Sequence, residues 1–160
     1  MKKKRLVYYS IFCIIAILLI LVFYKRNISK IEYYEYPKRE EWSIIGSKER
    51  VEALIIPKKI VKRMTDKSLI QAIADYPLLS DLYVYGTVQD GLKVFQKQCS
   101  AYQELISRST AKDCFLTDGI ALIKEFREDS QNDRNQLAAM VLSDMIRELY
   151  SDVNIDEYLK

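Results

Sequence analysis

The chain has no histidine, which excludes catalytic triads, imidazole proton shuttles and every zinc site that needs an imidazole. Chemistry would have to rest on carboxylates. Asp75, Asp81 and Asp90 offer the acid-and-base pairing that hydrolases use, but 22 acidic residues in 160 make such neighbours common by composition alone. Glu104 and Arg108 stand four apart, the spacing and order of a favourable pair on one helix face. Two roles fit them: Arg108 as an anion receptor governed by Asp81 or Glu104, or an ion pair fixing a helix junction. The second is the expectation. Asp129-Ser130-Gln131-Asn132-Asp133 gathers oxygen ligands as a calcium loop does, yet lacks the turn glycine and the closing glutamate. A helix cap explains it better. The four glycines are spread from Gly46 to Gly119 and cannot form a phosphate-binding loop. No catalytic, cofactor-binding or metal-ligating residue is therefore assigned. The chain is expected not to be an enzyme and to need no cofactor.

Whatever positions these groups must be built from a chain of two unlike parts. Six of the 25 Lys/Arg lie at Lys2, Lys3, Lys4, Arg5, Lys25 and Arg26, so residues 27–160 hold 19 against all 22 Asp/Glu. A nucleic-acid binder concentrates positive charge on its folded part, and this balance argues against one. Between the basic clusters runs Leu6–Tyr24, nineteen residues without a charge. As a helix it would be about 28 Å long, close to the ~30 Å hydrocarbon core of a bilayer, with Tyr8, Tyr9 and Tyr24 near the interfaces. It is too long and lacks the small-residue site of a cleaved signal peptide. The expectation is a single-pass signal anchor, residues 6–24, behind a basic cytoplasmic tail, residues 1–5. Basic residues nearly balance across the span, but a short dense tail resists translocation. The C-terminal domain is placed outside the membrane.

Residues 25–47 read as a connector, interrupted by Pro37 and ended by Gly46-Ser47. Its aromatics, Tyr33, Tyr34, Tyr36 and Trp42, are expected to pack on their own domain or rest among headgroups. From residue 48 to 150 apolar residues recur at helical spacing. The pattern predicts helices over Lys48–Ile55, Pro57–Met64, Asp66–Tyr76 capped by Thr65, Leu78–Tyr83 and Val88–Gln98 capped by Thr87. Further helices are predicted over Ala101–Ser107, opened by a Ser100/Gln103 capping box, and over Ala111–Phe126, opened by Thr110/Asp113. The last is Arg134–Tyr150 behind Asp133. Residues 151–160 form an acidic tail expected to fray. Cys99 and Cys114 fall on apolar faces and read as small buried thiols, although a bridge is geometrically conceivable.

One resemblance accompanies this reading. Ile56-Pro57, Met64-Thr65, Leu69, Tyr76-Pro77-Leu78-Leu79, Asp81, Tyr83, Gly91, Glu104-Leu105, Arg108 and Ala111 follow an order and spacing that resembles a helical domain of bacterial secreted and surface proteins of unknown function. The likeness covers about residues 56–126. At Cys99, Ser100 and Ala101 this chain departs from the aromatic and Asn-Gly pair expected there. The resemblance implies an extracytoplasmic helical domain and no substrate. The fold expected is all-α, a transmembrane helix followed by a compact bundle of six or seven short helices. The function expected is that of a membrane-anchored protein or peptide interaction module. A carboxylate-dependent cell-envelope hydrolase, or an accessory subunit of one, is the alternative.

Overall fold

A computed structural model describes Ile17, residues 30–129 and residues 131–160; Ile17 apart, the hydrophobic run Leu6–Tyr24 lies outside the described residues. Among the described residues no helix is long and apolar enough to cross a membrane. The chain divides into two units, Met1–Lys30 and Ile31–Lys160.

The second unit is all-helical. Its α-helices are α1 (Arg39–Trp42), α2 (Ser47–Ala53), α3 (Lys58–Val61), α4 (Asp66–Ala74), α5 (Val88–Gln98), α6 (Ser100–Ile106), α7 (Ala111–Cys114), α8 (Ile120–Glu128), α9 (Asp133–Leu149) and α10 (Ile155–Tyr158). A 3-10 helix, Leu79–Val84, precedes α5, and a π-turn, Phe115–Gly119, joins α7 to α8. Among the described residues the sole β-type pairing is one parallel bridge between Ile31 and Met64. Among the described residues ten α-helices stand where about six or seven were expected: α1 and α10 form in the stretches expected to be connector and tail, and the predicted Ala111–Phe126 run divides into α7 and α8.

At the centre lies α4. Leu69, Ile70, Ala72, Ile73 and Ala74 are all buried, and Lys67 near its start is the one exposed residue of the helix. α6, α9, α7 and the π-turn pack around it, while α8 lies along α9 and α5 along the 3-10 helix. The core continues through Leu54, Ile56, Leu82, Leu105, Phe115, Ile123, Leu142 and Met145, each at most 1 % exposed. Burying one such side chain stabilises the fold by about 1.5–3 kcal/mol. Gly91 of α5 sits at a close approach of backbone to backbone: a Cβ there would collide with the Leu82 carbonyl oxygen. The absence of a side chain is what lets α5 lie on the 3-10 helix.

Two caps occur as the spacing predicts. Thr65 Oγ1 accepts from Ser68 N at 3.1 Å, and Thr87 Oγ1 accepts from Asp90 N at 3.1 Å. Two others do not. Ser100 Oγ accepts instead from Ile56 N at 2.9 Å, and Thr110 Oγ1 donates to Asp66 Oδ2 at 2.6 Å. In both cases the hydroxyl serves a group from another part of the chain, a use that local spacing cannot reveal. The cap of α9 is Asn132, one residue before the predicted Asp133, with Oδ1 accepting from Arg134 N at 3.1 Å and Asn135 N at 3.2 Å.

The predicted single helix Ala111–Phe126 contains the π-turn at its middle. Thr117 Oγ1 donates to the Asp113 carbonyl oxygen at 2.7 Å, a side-chain bond that competes with the ordinary backbone ladder, and Gly119 follows it. The added width brings Ile120 inward beside Ile123 and Phe126. The tail does not fray either. Asn154 caps α10, Ile155 is 2 % exposed, and Arg147 and Lys112 hold Asp156 and Asp152 at 3.1 and 2.6 Å. One buried isoleucine and two ion pairs secure what composition alone describes as acidic and polar.

Residues 31–36, within the stretch expected to be a connector, lie against the bundle. Ile31 N donates to Arg63 O at 3.0 Å, and Ile31 O accepts from Thr65 N at 3.2 Å and from Ser68 Oγ at 2.8 Å. Tyr34 and Tyr36 pack on the core. They begin a run of edge-to-face rings, Tyr34–Tyr36–Tyr76–Phe95–Tyr102, with centroids 5.2, 5.7, 5.3 and 5.5 Å apart, a favourable geometry for aromatic quadrupoles.

Candidate functional site

Arg108 follows α6, where Glu104 lies one turn behind it and α4 begins opposite. Its Nε and Nη2 donate to Glu104 Oε1 at 3.2 and 3.1 Å. Nη1 donates to Asp66 Oδ1 at 2.5 Å and Met64 O at 3.0 Å, and Nη2 reaches Val61 O at 3.5 Å. A guanidinium has five N–H donors, and these five contacts account for them. No donor is left for an incoming anion. The residue is a staple that joins α6 to α4 and to the carbonyls after α3, and its side chain is only 20 % exposed.

The three aspartates do not converge. Asp90 is exposed and bound to Lys93 Nζ at 2.9 Å. Asp75 accepts from Gln71 Nε2 at 3.1 Å, and Asp81, in the 3-10 helix, does not line the cavity that Asp75 lines. The Asp129 carboxylate accepts from Asn135 Nδ2 at 3.0 Å and its carbonyl from Gln136 Nε2 at 3.1 Å, so this turn closes onto the start of α9. Ser109 and Lys112 have the Ser-x-x-Lys spacing of some nucleophile–base pairs. Lys112 is engaged instead by Asp152 at 2.6 Å and lies 5.6 Å from the Tyr150 ring centroid.

Both cysteines of the bundle are free and buried. Burial pushes the thiols of Cys99 and Cys114 up to about 12, and the Asp118 carboxylate adds to the effect at Cys114. Burial, then the Asp144 carboxylate that accepts from its hydroxyl at 2.8 Å, raises Tyr83. Neither thiol has the electropositive, accessible surroundings of a nucleophile.

One surface cavity is a wide groove of about 850 Å³, within the size range of ligand sites. One wall comes from Tyr33 to Arg50, the other from Asp75 to Ser80 and from Arg134-Asn135 at the start of α9. Four cations line it, Lys38, Arg39, Arg50 and Arg134, against two carboxylates, Glu35 and Asp75. Backbone carbonyls orient two of the arginines: Arg50 Nη2 donates to Ser43 O and Ile45 O at 3.1 and 3.2 Å, and Arg134 Nη2 to Asp75 O at 2.6 Å. With four cations against two carboxylates the lining has a positive balance, suited to an anionic or acidic guest. None of these four cations stands out in the sequence. Their walls lie up to about a hundred residues apart, and only the fold brings them together. No protein-family model, curated protein or solved structure matches the chain.

Proposed function

We propose that this protein is a membrane-anchored interaction module whose helical domain stands outside the cytoplasmic membrane and takes an acidic segment of a partner protein into the groove. Leu6–Tyr24 supplies the anchor, a run with the length and charge flanks of a spanning helix. The observation that carries the binding role is the groove itself, open, about 850 Å³, and lined by four cations against two carboxylates. An extended acidic peptide fits such a trough, with the arginines fixing register.

The test is photocrosslinking in cells from Ser80 and Tyr33 on the groove walls and from Glu148 on α9 as control. Capture of one partner from both wall positions, not from Glu148, and its loss in Arg39→Glu/Arg134→Glu, supports the reading. Equal capture from Glu148, or capture that survives the charge reversal, overturns it.

A second reading, a carboxylate-dependent envelope hydrolase or an accessory subunit of one, has a single observation in its favour: Glu35 and Asp75 line the same groove. Hydrolysis of an envelope substrate by the purified chain, abolished in Glu35→Gln or Asp75→Asn, would establish it. Activity unchanged in both variants would dismiss it.

A further inference from the structure

The bundle carries a net negative balance, yet one short stretch reverses it. Lys58, Lys59, Lys62, Arg63 and Lys67 fall within ten residues and all are exposed. Helical geometry groups them: Lys58 and Lys62 are four apart, as are Lys59 and Arg63, on the side of α3 opposite the buried Val61 and Met64. Asp66 and Glu104 are taken by Arg108, and Glu32 meets Thr65 Oγ1 at 3.4 Å.

The position of this face along the chain is as telling as its charge. Ile31 is bonded through its N–H to the Arg63 carbonyl at 3.0 Å, so the chain joins the bundle within the basic face. Ile31 lies seven residues after Tyr24, the last residue of the hydrophobic run, and the intervening stretch includes Lys25, Arg26 and Lys30. Seven steps of extended chain span at most about 25 Å. A run that spans the bilayer therefore leaves only this short length of sequence before the residue that pairs with the basic face.

We infer that the face formed by Lys58, Lys59, Lys62, Arg63 and Lys67 docks on the anionic phospholipid headgroups of the membrane that holds the anchor. The inference rests on the anchor reading given under Proposed function. Juxtamembrane basic clusters gain attraction from an anionic surface with each lysine added, over a range set by the Debye length. The contact uses α3 and the turn after it, leaving the groove-lining residues available to a partner.

Hydrogen exchange of the full chain, reconstituted in vesicles, tests this. One set of vesicles is phosphatidylcholine alone; the other contains about a third phosphatidylglycerol. In the anionic set the amides of residues 58–63 should exchange at least roughly fivefold more slowly than in the neutral set, the factor that headgroup attraction to a single lysine provides. High salt, or the exposed triple reversal Lys58→Glu/Lys59→Glu/Lys62→Glu with its helical content checked by circular dichroism, should remove the difference. Equal exchange in the two vesicle types, or protection that survives the reversal, overturns the docking inference. An alkaline carbonate wash reads the anchor separately. Chain stripped by carbonate overturns the anchor and the inference with it, whereas chain retained without lipid-dependent protection overturns docking alone.

Discussion

Arg108 shows how much one residue can decide. The i,i+4 spacing to Glu104 was legible in the sequence; the partners from α4 and from the carbonyls after α3 were not, since they lie more than forty positions away. Replacing Arg108 by Ala leaves Asp66 and Glu104, 30 and 19 % exposed, without their shared counter-charge. The expected loss is about 2–4 kcal/mol, between the values for exposed and fully buried pairs, read as a lower urea midpoint. Arg108→Ala/Asp66→Asn should recover part of it, and a variant as stable as the parent would refute the staple. The thiols give a second expectation. Their folded values of about 12 stand above the ordinary 9.0, so the folded state holds these protons more tightly than the unfolded chain. That stability is complete below about pH 8 and is lost as pH rises through 9 toward 12. Thermal midpoints should fall over that window, less steeply in Cys99→Ala/Cys114→Ala. At pH 8 alkylation of both should be at least roughly a hundredfold slower in folded protein than in urea, because both thiolate fraction and access are suppressed.

Elements were legible in proportion to how locally they are determined. Val88–Gln98, with Thr87 as its cap, occurs over the residues predicted, because an amphipathic stripe, a β-branched hydroxyl and the preceding Gly86 all point the same way. Ala111–Phe126 reads as one helix and is three pieces, since the side-chain bond from Thr117 leaves the apolar periodicity nearly intact. α10 escaped notice because only Ile155 of its four residues is apolar and buried. Gly91 was likewise visible only as a glycine within a helical pattern, where propensity suggests that alanine would be an improvement. The contact with the Leu82 carbonyl predicts the reverse. Gly91→Ala should cost about 1–3 kcal/mol by overpacking against backbone, seen as a lowered unfolding midpoint, while an unchanged or raised midpoint would disprove the close approach.

At the scale of the whole molecule, apolar periodicity pointed to the helical class and the placement of charges to the division of the chain, but neither could assemble the groove, whose cations come from segments 38–50 and 134. Nor could either show that the folded unit starts at Ile31 rather than after a free spacer. That early start has a mechanical meaning. Three hydrogen bonds, to Arg63 O, Thr65 N and Ser68 Oγ, hold Ile31 in place, and a load entering from the N-terminal side meets them before it reaches α4. Pulled between its ends, the full chain should yield residues 31–36 first, lengthening by about 20 Å at a force below that which ruptures the bundle. A force trace with one rupture and no early step would rule this out. The segment then acts as a shock absorber: a tug on the tether is spent on a short, reversible peel, and the groove wall carried by Tyr33–Arg39 is the first thing to feel it.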